Sequence, residues 1–248
     1  MSRFFVKKEN IFPDRIVIDD KEDVHHIAKV LRLNEGDICD VSDCQEWEYK
    51  VEIISISKSE VQTKIRDKQK FTSEPQLKIT LFQSLPKQGK METIIQKSVE
   101  LGVHEVVPMF TARTVVTQNE SFGKKIDRWQ KVSGEAVKQC RRGIIPKIED
   151  GISFAKMLER LKSREFDEVI FPYENEEAYS IKSALQSIKE KPKSVAIIIG
   201  SEGGFSDEEA KALAEIGVKA VTLGKTILRT ETAGPAAIAM VMYELELC

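Results

Sequence analysis

The sequence lacks any long hydrophobic segment. None of the apolar runs in its 248 residues approaches the roughly 18–20 residues that a helix needs to cross a bilayer. Residues 1–8 contain no apolar stretch as long as that of a signal peptide. These two absences argue against membrane and exported proteins. We therefore expect a protein that works in the cytoplasm and has no membrane partner.

Cysteine and histidine are also scarce, with four and three residues respectively. No Cys-x-x-Cys pair occurs, and His25, His26 and His104 are not spaced to join the cysteines as metal ligands. Scattered cysteines without an export signal are typical of the reducing cytoplasm. We therefore expect no metal site.

Two common nucleotide-binding motifs are missing. The glycine cluster at residues 200–204 is spaced Gly-x-x-Gly-Gly, which does not match the Gly-x-Gly-x-x-Gly dinucleotide fingerprint. The segment Gly224-Lys225-Thr226 imitates the end of a Walker A sequence. However, the motif needs a glycine where Lys219 stands, and residues 220–223 have the composition of a strand. A nucleotide hydrolase is therefore disfavoured.

Hydrophobic residues make up 41% of the chain and charged residues 31%, which is ordinary for a globular protein with a sizeable core. The net charge of −2 hides a local pattern, because residues 87–142 carry 11 basic and 6 acidic side chains. Such a segment attracts a polyanion or simply forms a solvated helical face. Charge counts alone do not separate these two interpretations.

The first part of the chain has the pattern of short strands. Polar and apolar residues alternate over 15–18, 49–56 and 61–65, and one helix is expected near residues 23–31. This spacing predicts a small β-barrel. The polar stretch 67–75 is the best candidate for a linker, so we place a first domain at 1–72 and a second at 73–248.

After Pro75 the pattern changes to alternating strands and helices. Short apolar runs at 168–171 and 195–199 suit a parallel sheet that is covered by helices on both faces. Further strands are expected at 77–82 and 103–110, and helices at 91–99, at 124–142 and from near Pro235. The second domain is therefore predicted to be α/β.

A glycine cluster follows the apolar run that ends at Ile199. Three glycines within Gly200–Gly204 let a ligand lie against bare backbone, and Ser206 followed by Glu209 is a capping-box pattern that marks a helix start. In open α/β sheets, ligands bind at loops after the carboxyl ends of strands. The alternative is a tight turn without a ligand, and the clustered glycines favour binding.

A second unusual segment is Val221–Pro235, where Arg229, Glu231 and two threonines crowd in front of a small-residue helix. Taken alone, this segment fits a capping cluster, with Arg229 paired to Glu231, as well as it fits a site. The two segments together are a more specific pattern than either segment alone.

Together these segments resemble the motifs of the RsmE-like family within the SPOUT class of methyltransferases. The family pattern Gly-Pro-Glu-Gly-Gly-Phe/Leu-Ser is similar to Gly200–Ser206, and Leu-Gly-x-x-Ile/Val-Leu-Arg-Thr-Glu-Thr-Ala is similar to Leu223–Ala233. Residues 25–32, 90–103 and 135–142 resemble its amino-domain signature, the opening of its catalytic domain and its central helix. The resemblance covers nearly the whole chain. It departs at Ser201, where the family usually has proline.

The resemblance implies a PUA-like β-barrel that helps to hold RNA. It also implies a carboxy-terminal α/β domain with a mostly parallel, trefoil-knotted sheet, and a homodimer. The implied activity is transfer of a methyl group from S-adenosylmethionine to N3 of a uridine in 16S rRNA of the small ribosomal subunit. Two alternatives are a different SPOUT enzyme that methylates the ribose 2′-O, and a non-catalytic RNA-binding factor in ribosome assembly.

Mapped onto this chain, the family's cofactor pocket predicts a set of cofactor-binding residues: Phe171, Gly200, Glu202, Gly203, Gly204, Leu223, Gly224, Ile227, Leu228, Thr230 and Thr232. The sulfonium of the cofactor is cationic, so Glu202 or Glu231 is a sensible neighbour. Methylation of N3 requires loss of the imide proton, which a base or a stabilising cation assists. We predict the electrostatic role for Arg229 and name Glu231 as the second catalytic candidate. Candidate RNA contacts are Arg32, Lys87, Lys90, Gln139, Arg141 and Arg142.

Overall fold

A computed structural model describes residues 3–115 and 122–247. The chain divides into two compact units, one formed by Met1–Glu74 with Val137–Ile145 and the other by Pro75–Ala136 with Pro146–Cys248. The sequence predicts a single boundary after residue 72. In the structure the division comes after Glu74, and a short later segment returns to the first unit.

The first unit is built on one sheet, whose strands pack a hydrophobic core that includes Phe4, Ile18 and Val51. Its strands are β1 (Arg3–Phe5), β2 (Arg15–Ile18), β3 (Ile38–Ser42), β4 (Trp47–Ile56) and β5 (Val61–Lys70). They follow the order β1-β3-β4-β5-β2, and only the β1–β3 pair among them is parallel. Helix α1 (Lys21–His25) is capped by the Asp20 carboxylate and continues as a wider turn over His26–Val30.

Residues 137–145 are tied to the first unit by a buried ion pair. The Glu74 carboxylate accepts a hydrogen bond from Arg142 Nη2 at 3.0 Å, and the two side chains are 10% and 8% exposed. The other oxygen of Glu74 accepts the backbone N–H groups of Gly143 at 2.6 Å and Ile144 at 3.0 Å. The carboxylate therefore has charged and neutral donors on both oxygens, which is what an ion pair needs in order to be stable when buried.

The second unit is an α/β layer structure. Its elements in chain order are β6 (Lys78–Ser84), α2 (Lys90–Glu100), β7 (Glu105–Phe110), α3 (Phe122–Cys140), β8 (Lys147–Ile148), β9 (Ile152–Ser153), α4 (Phe154–Lys162), β10 (Glu168–Pro172), α5 (Ile181–Gln186), β11 (Ser194–Ile199), α6 (Asp207–Glu215), β12 (Ala220–Val221) and α7 (Thr230–Leu245). The last turn of α3 belongs to the first unit.

The sheet of the second unit has the strand order β12-β10-β11-β6-β7-β8, with β9 also paired to β7. Every pair recorded in the described part of the chain is parallel. The central strand β11 is buried from Val195 to Ile199 because helices cover both faces. Since the strands are parallel, the loops that follow β10, β11 and β12 all emerge at one edge of the sheet.

Helix α7 begins earlier than the sequence predicts. The Arg229 carbonyl accepts the N–H groups of Thr232 and Ala233, both at 2.8 Å, so the first turn forms ahead of Pro235. The predicted start near Pro235 is therefore wrong, and the proline lies inside the helix. Proline has no N–H to donate to the carbonyl of Glu231, which leaves one bond of the helix unmade.

Within the described residues, no helix has both the length and the apolar character that a membrane crossing requires. The trefoil knot that the resemblance implies stays a prediction.

We expect Glu74→Ala to destabilise the protein by about 3 kcal/mol, because it leaves the buried Arg142 guanidinium without its counter-charge. Urea unfolding followed by circular dichroism measures the change. The control is Glu9→Ala, since the Glu9 side chain is 70% exposed and its neighbour Lys7 is 4.0 Å away. Glu9→Ala is expected to change the free energy of unfolding by less than about 0.5 kcal/mol. Equal effects of the two substitutions would contradict the structural role of the Glu74–Arg142 pair.

Candidate functional site

A cavity of about 490 Å³ opens at the edge of the sheet where β10, β11 and β12 end. Its walls come from residues 172–174 after β10, from the turn after β11, and from residues 222–230 between β12 and α7, with Lys90 of α2 and Ala233 of α7 completing them. Ligand-binding clefts for drug-sized molecules have volumes of roughly 300–1,000 Å³. Two segments far apart in the sequence thus enclose one site of ligand size.

The turn after β11 is closed by a hydrogen bond from the Gly204 N–H to the Ser201 carbonyl at 3.0 Å. Gly204 has φ +67°, and a side chain there would overlap the carboxylate of Glu174. A residue without a side chain is therefore required at this point of the wall. Helix α6 then starts at Ser206 with the reciprocal capping box that the sequence predicts, with Glu209 as the partner.

The two cavity segments are joined by buried hydrogen bonds. Thr230 Oγ1 donates to the Gly200 carbonyl at 2.6 Å and accepts from Gln83 Nε2 at 3.0 Å. Gln83 is fully buried, and Thr230 is 6% exposed. The contact therefore holds the end of β6, the glycine turn and the start of α7 together. Sequence analysis missed Gln83, although a polar residue at the end of an apolar strand was a signal.

A second, ionic connection lies beside the first. Lys90 Nζ is 3.0 Å from Glu202 Oε1 and 3.2 Å from Glu231 Oε2, and the three side chains are 22–28% exposed. The backbone N–H of Lys87 also donates to the Glu202 carboxylate, at 3.2 Å from each oxygen. One ammonium thus links the glycine turn to helix α7.

The pKa shifts of these three groups agree with their contacts. The hydrogen bond to Glu202 raises the pKa of Lys90. Burial opposes ionisation of Glu202, but the hydrogen bond from Lys90 and the backbone N–H groups outweigh it and lower its pKa. A hydrogen bond from its own backbone N–H, together with the Lys90 ammonium, lowers the pKa of Glu231. All three groups are therefore charged at neutral pH.

Most of the expected cofactor-binding residues line the cavity. Gly200, Glu202, Gly204, Leu223, Gly224, Ile227, Leu228 and Thr230 are in its walls, and Arg229 is beside them. The structure adds residues that sequence analysis did not name as cofactor-binding: Lys90, Pro172, Tyr173, Glu174, Ile199, Ser201, Phe205, Thr222, Thr226 and Ala233.

Four of the expected site residues lie outside the walls. Phe171 is 1% exposed and packs in the core against Tyr173 and Phe205, because its side chain faces the layer beneath the sheet edge. The Cα of Gly203 faces Arg113, which donates from Nη1 to the Gly203 carbonyl at 2.8 Å. Thr232 points to solvent from the first turn of α7. The carboxylate of Glu231 is held by Lys90.

The candidate RNA contacts also divide into two groups. Arg32, Lys87, Gln139 and Arg141 have exposed side chains. We withdraw Arg142, because its guanidinium is buried against Glu74. We also withdraw Lys90, because its charge is neutralised by two carboxylates of the same protein. Counts of basic residues cannot distinguish a free surface charge from one that is paired with a carboxylate inside the fold.

The described residues contain no cluster of metal-ligating side chains. Within 3–115 and 122–247, no three His, Cys, Asp or Glu side chains are grouped as a metal ion would require.

The chain is similar to RNA methyltransferases in both sequence and structure. Residues 72–242 match the model of an RNA methyltransferase domain, and residues 18–66 match an RNA methyltransferase PUA domain. Ribosomal RNA small subunit methyltransferase E of Bacillus subtilis is 36% identical over 255 residues, which cover all of this chain and 98% of that protein. The chain belongs to the ribosomal RNA small subunit methyltransferase E family.

Solved structures of this family have the same architecture. The enzyme of Neisseria gonorrhoeae, bound to S-adenosyl methionine, has a TM-score of 0.85 and 28% identity over 98% of this chain and 97% of that one. A putative methyltransferase of Legionella pneumophila, in complex with the same cofactor, has a TM-score of 0.84 and 28% identity. The expected PUA-like domain and mostly parallel α/β domain are confirmed.

We expect Thr230→Val to lower the free energy of unfolding by about 1 kcal/mol, because it removes the hydrogen bond to the partly buried Gly200 carbonyl and one of the contacts of the buried Gln83 amide. The Gln83 amide keeps its bond to the Ser84 carbonyl at 2.9 Å. The control is Thr232→Val, which makes the same change on the exposed side of the same turn and is expected to cost less than about 0.5 kcal/mol. Chemical denaturation of both variants measures the difference. A Thr230 variant as stable as the Thr232 variant would show that the buried contact contributes nothing.

Proposed function

We propose that this member of the family transfers a methyl group from S-adenosylmethionine to N3 of a uridine in 16S rRNA of the small ribosomal subunit. The observation that carries the proposal is the convergence of the glycine turn after β11 and residues 222–230 on one cavity. These are the two segments whose motifs resemble the family's cofactor pocket. The named relatives and the cofactor-bound structures support the same assignment.

The cavity has the features that this cofactor needs. Leu223, Ile227 and Leu228 supply apolar walls for a purine ring, and Ile227 is 84% exposed although it is a large apolar residue. Gly200 and Gly204 bring bare backbone to the opposite wall. A pocket of this kind, with apolar walls and a few backbone groups, is the usual arrangement for a cofactor. The residues present therefore fit an adenosine-containing ligand.

The bound cofactor supplies a methyl group on a cationic sulfur. The N3 atom of uridine must lose its proton, and the ring carries negative charge as it does so. Arg229 lines the cavity, its side chain is exposed, and no hydrogen bond or ion pair to it is recorded within the described residues. Its guanidinium interacts electrostatically with Glu231 but is exposed at the cavity, so it can stabilise that anion while the imide proton passes to solvent. We no longer assign a direct role to Glu231, since Lys90 holds its carboxylate.

The target uridine must be unpaired, or displaced from its partner, because N3 lies on the pairing edge of the base. Lys87 is the exposed basic residue next to the cavity, since its N–H contacts Glu202. We propose it as a phosphate contact in the second unit. Arg32, Gln139 and Arg141 are proposed RNA contacts in the first unit. Their substitution is expected to weaken RNA binding and leave cofactor binding unchanged.

Two further expectations accompany this function. Because the proposed substrate is ribosomal RNA, we expect the protein to work in the cytoplasm. The family resemblance implies a homodimer, and helix α7 exposes 66% of Tyr243 near its carboxyl end. Light scattering that gives the mass of a single chain at micromolar concentration would contradict the dimer.

The function is tested by incubating purified small ribosomal subunits, from a strain without this gene, with the protein and methyl-labelled cofactor. We expect one labelled uridine, with the methyl group on the base in mass mapping. Label on a ribose would favour the 2′-O alternative. Absence of label together with absence of cofactor binding in calorimetry would favour the non-catalytic assembly factor.

We expect Arg229→Ala to reduce turnover by about 10²–10³-fold, because it removes the cation nearest to the developing negative charge. Single-turnover methylation at saturating cofactor measures the effect. Lys225→Ala is the control, since Lys225 is an exposed cation of the same loop that does not line the cavity. The circular dichroism spectrum of both variants is expected to match that of the parent protein. Retained turnover in Arg229→Ala would remove this residue from the mechanism.

We expect Lys90→Met to raise the Kd for S-adenosylmethionine by about tenfold, because Glu202 and Glu231 then repel each other and the two cavity segments separate. The control is Lys97→Met on the same helix, where the lysine pairs with Glu100 away from the cavity. Calorimetric titration measures both variants. Lys90→Arg is expected to restore most of the affinity. Equal affinity in Lys90→Met and Lys97→Met would exclude a positioning role for Lys90.

A further inference from the structure

One carboxylate in the cavity wall has no ion pair among the residues that the structure describes. Glu174 follows β10 and lines the cavity, and within the described residues its side chain has no recorded hydrogen bond or ion pair. The other carboxylate of the wall, Glu202, is held by Lys90 and by the N–H of Lys87. Glu174 is therefore the acidic group that remains available to a ligand.

The position of Glu174 depends on the glycine turn. Its carboxylate lies so close to Gly204 that a side chain at residue 204 would overlap it. Gly204 also has φ +67°, a backbone conformation that other residues adopt only with strain. The absence of a side chain at residue 204 thus lets the Glu174 carboxylate lie directly over the turn that forms one wall of the cavity.

The charged side chains around the cavity differ in whether they are paired within the protein. Lys90 carries one positive charge against the two negative charges of Glu202 and Glu231, so these three groups together have a net charge of −1. Arg229, on the function proposed above, serves the anionic uridine. Glu174 is the carboxylate of the cavity wall that pairs with no cation of the described residues. S-adenosylmethionine carries one positive charge more than its demethylated product, S-adenosylhomocysteine, and that charge is on the sulfur.

We propose that Glu174 is the counter-ion of the sulfonium and so makes the cavity prefer the methyl donor over the spent product. The inference rests on the proposed function. Because Glu174 is exposed, its attraction for a cation is moderate, and a neutral thioether gains none of it. After transfer, the C–S bond electrons stay on the sulfur and the positive charge is lost. The carboxylate then no longer favours the bound product, which assists exchange of product for donor.

Two other uses of Glu174 predict different ligand preferences. A carboxylate that binds the α-ammonium of the methionine part would act on S-adenosylmethionine and S-adenosylhomocysteine alike. A carboxylate that accepts ribose hydroxyls would act on every adenosine derivative, including methylthioadenosine, which lacks the amino-acid part. The sulfonium assignment alone predicts a loss that is confined to ligands with a positive charge at the sulfur position.

The test is calorimetric titration of Glu174→Gln with four ligands: S-adenosylmethionine, sinefungin, S-adenosylhomocysteine and methylthioadenosine. Sinefungin carries an amine-bearing carbon in place of the methylated sulfur and is therefore cationic there. We expect the Kd for the two ligands that are cationic at this position to rise by about tenfold, and the other two to stay within about twofold. The control is Glu177→Gln, an exposed glutamate of the same loop that does not line the cavity. It is expected to bind all four ligands as the parent protein does.

Each other result overturns the inference. Equal losses for S-adenosylmethionine and S-adenosylhomocysteine, with methylthioadenosine unchanged, would assign Glu174 to the α-ammonium. Equal losses for all four ligands would assign it to the ribose, and no loss would leave it without a ligand contact. These results would leave the proposed function standing, because the parent protein binds the cofactor in each case. Failure of the parent protein to bind any of the four ligands would instead refute the proposed function.

Discussion

The hydrogen bond from Thr230 to the Gly200 carbonyl is the contact on which the site depends. The parallel sheet brings the ends of β10, β11 and β12 to one edge, but it does not by itself join their loops. The 2.6 Å contact between Thr230 and Gly200 does, and the buried Gln83 amide supports it from the end of β6. Gln83 and Thr230 are buried and the Gly200 carbonyl is partly buried, so loss of the Thr230 hydroxyl removes a bond that water replaces only in part. The cavity therefore has a defined shape before any ligand enters it.

The ionic cluster of Lys90, Glu202 and Glu231 makes a second connection between the same segments, one residue beyond Thr230 and two residues beyond Gly200. Thr230 pairs with Gly200, and the next residue in α7 is linked to the turn through an ammonium. The two connections differ in physical character, because the first is buried and neutral and the second is partly exposed and charged. The neutral bond sets the distance between the segments. The ammonium compensates two carboxylates that would otherwise repel each other at the cavity wall.

Local patterns in the sequence predict most of the fold. The apolar runs that become β10 and β11, and the capping box at Ser206, are signals carried by neighbouring residues, so they need no knowledge of tertiary structure. The failures have a common cause. Gln83, Lys90 and Arg142 owe their roles to partners more than 60 residues away in the chain. The glycine motif predicted one wall of the cavity, whereas the charges that remain open to a ligand depend on pairs that no sequence pattern records.

The distribution of those charges suggests how one cavity handles two substrates of opposite charge. Basic and acidic side chains that pair within the protein, Lys90 with Glu202 and Glu231, hold the walls together. Glu174 and Arg229, which have no recorded ion pair within the described residues, come from different loops of the wall. On the roles proposed for them, a cationic donor and an anionic acceptor each meet an opposite charge at the same time. Methyl transfer cancels both ligand charges, and with them the attraction that each loop exerts. On this proposal, the same two side chains favour the reactants over the products without any change in the backbone.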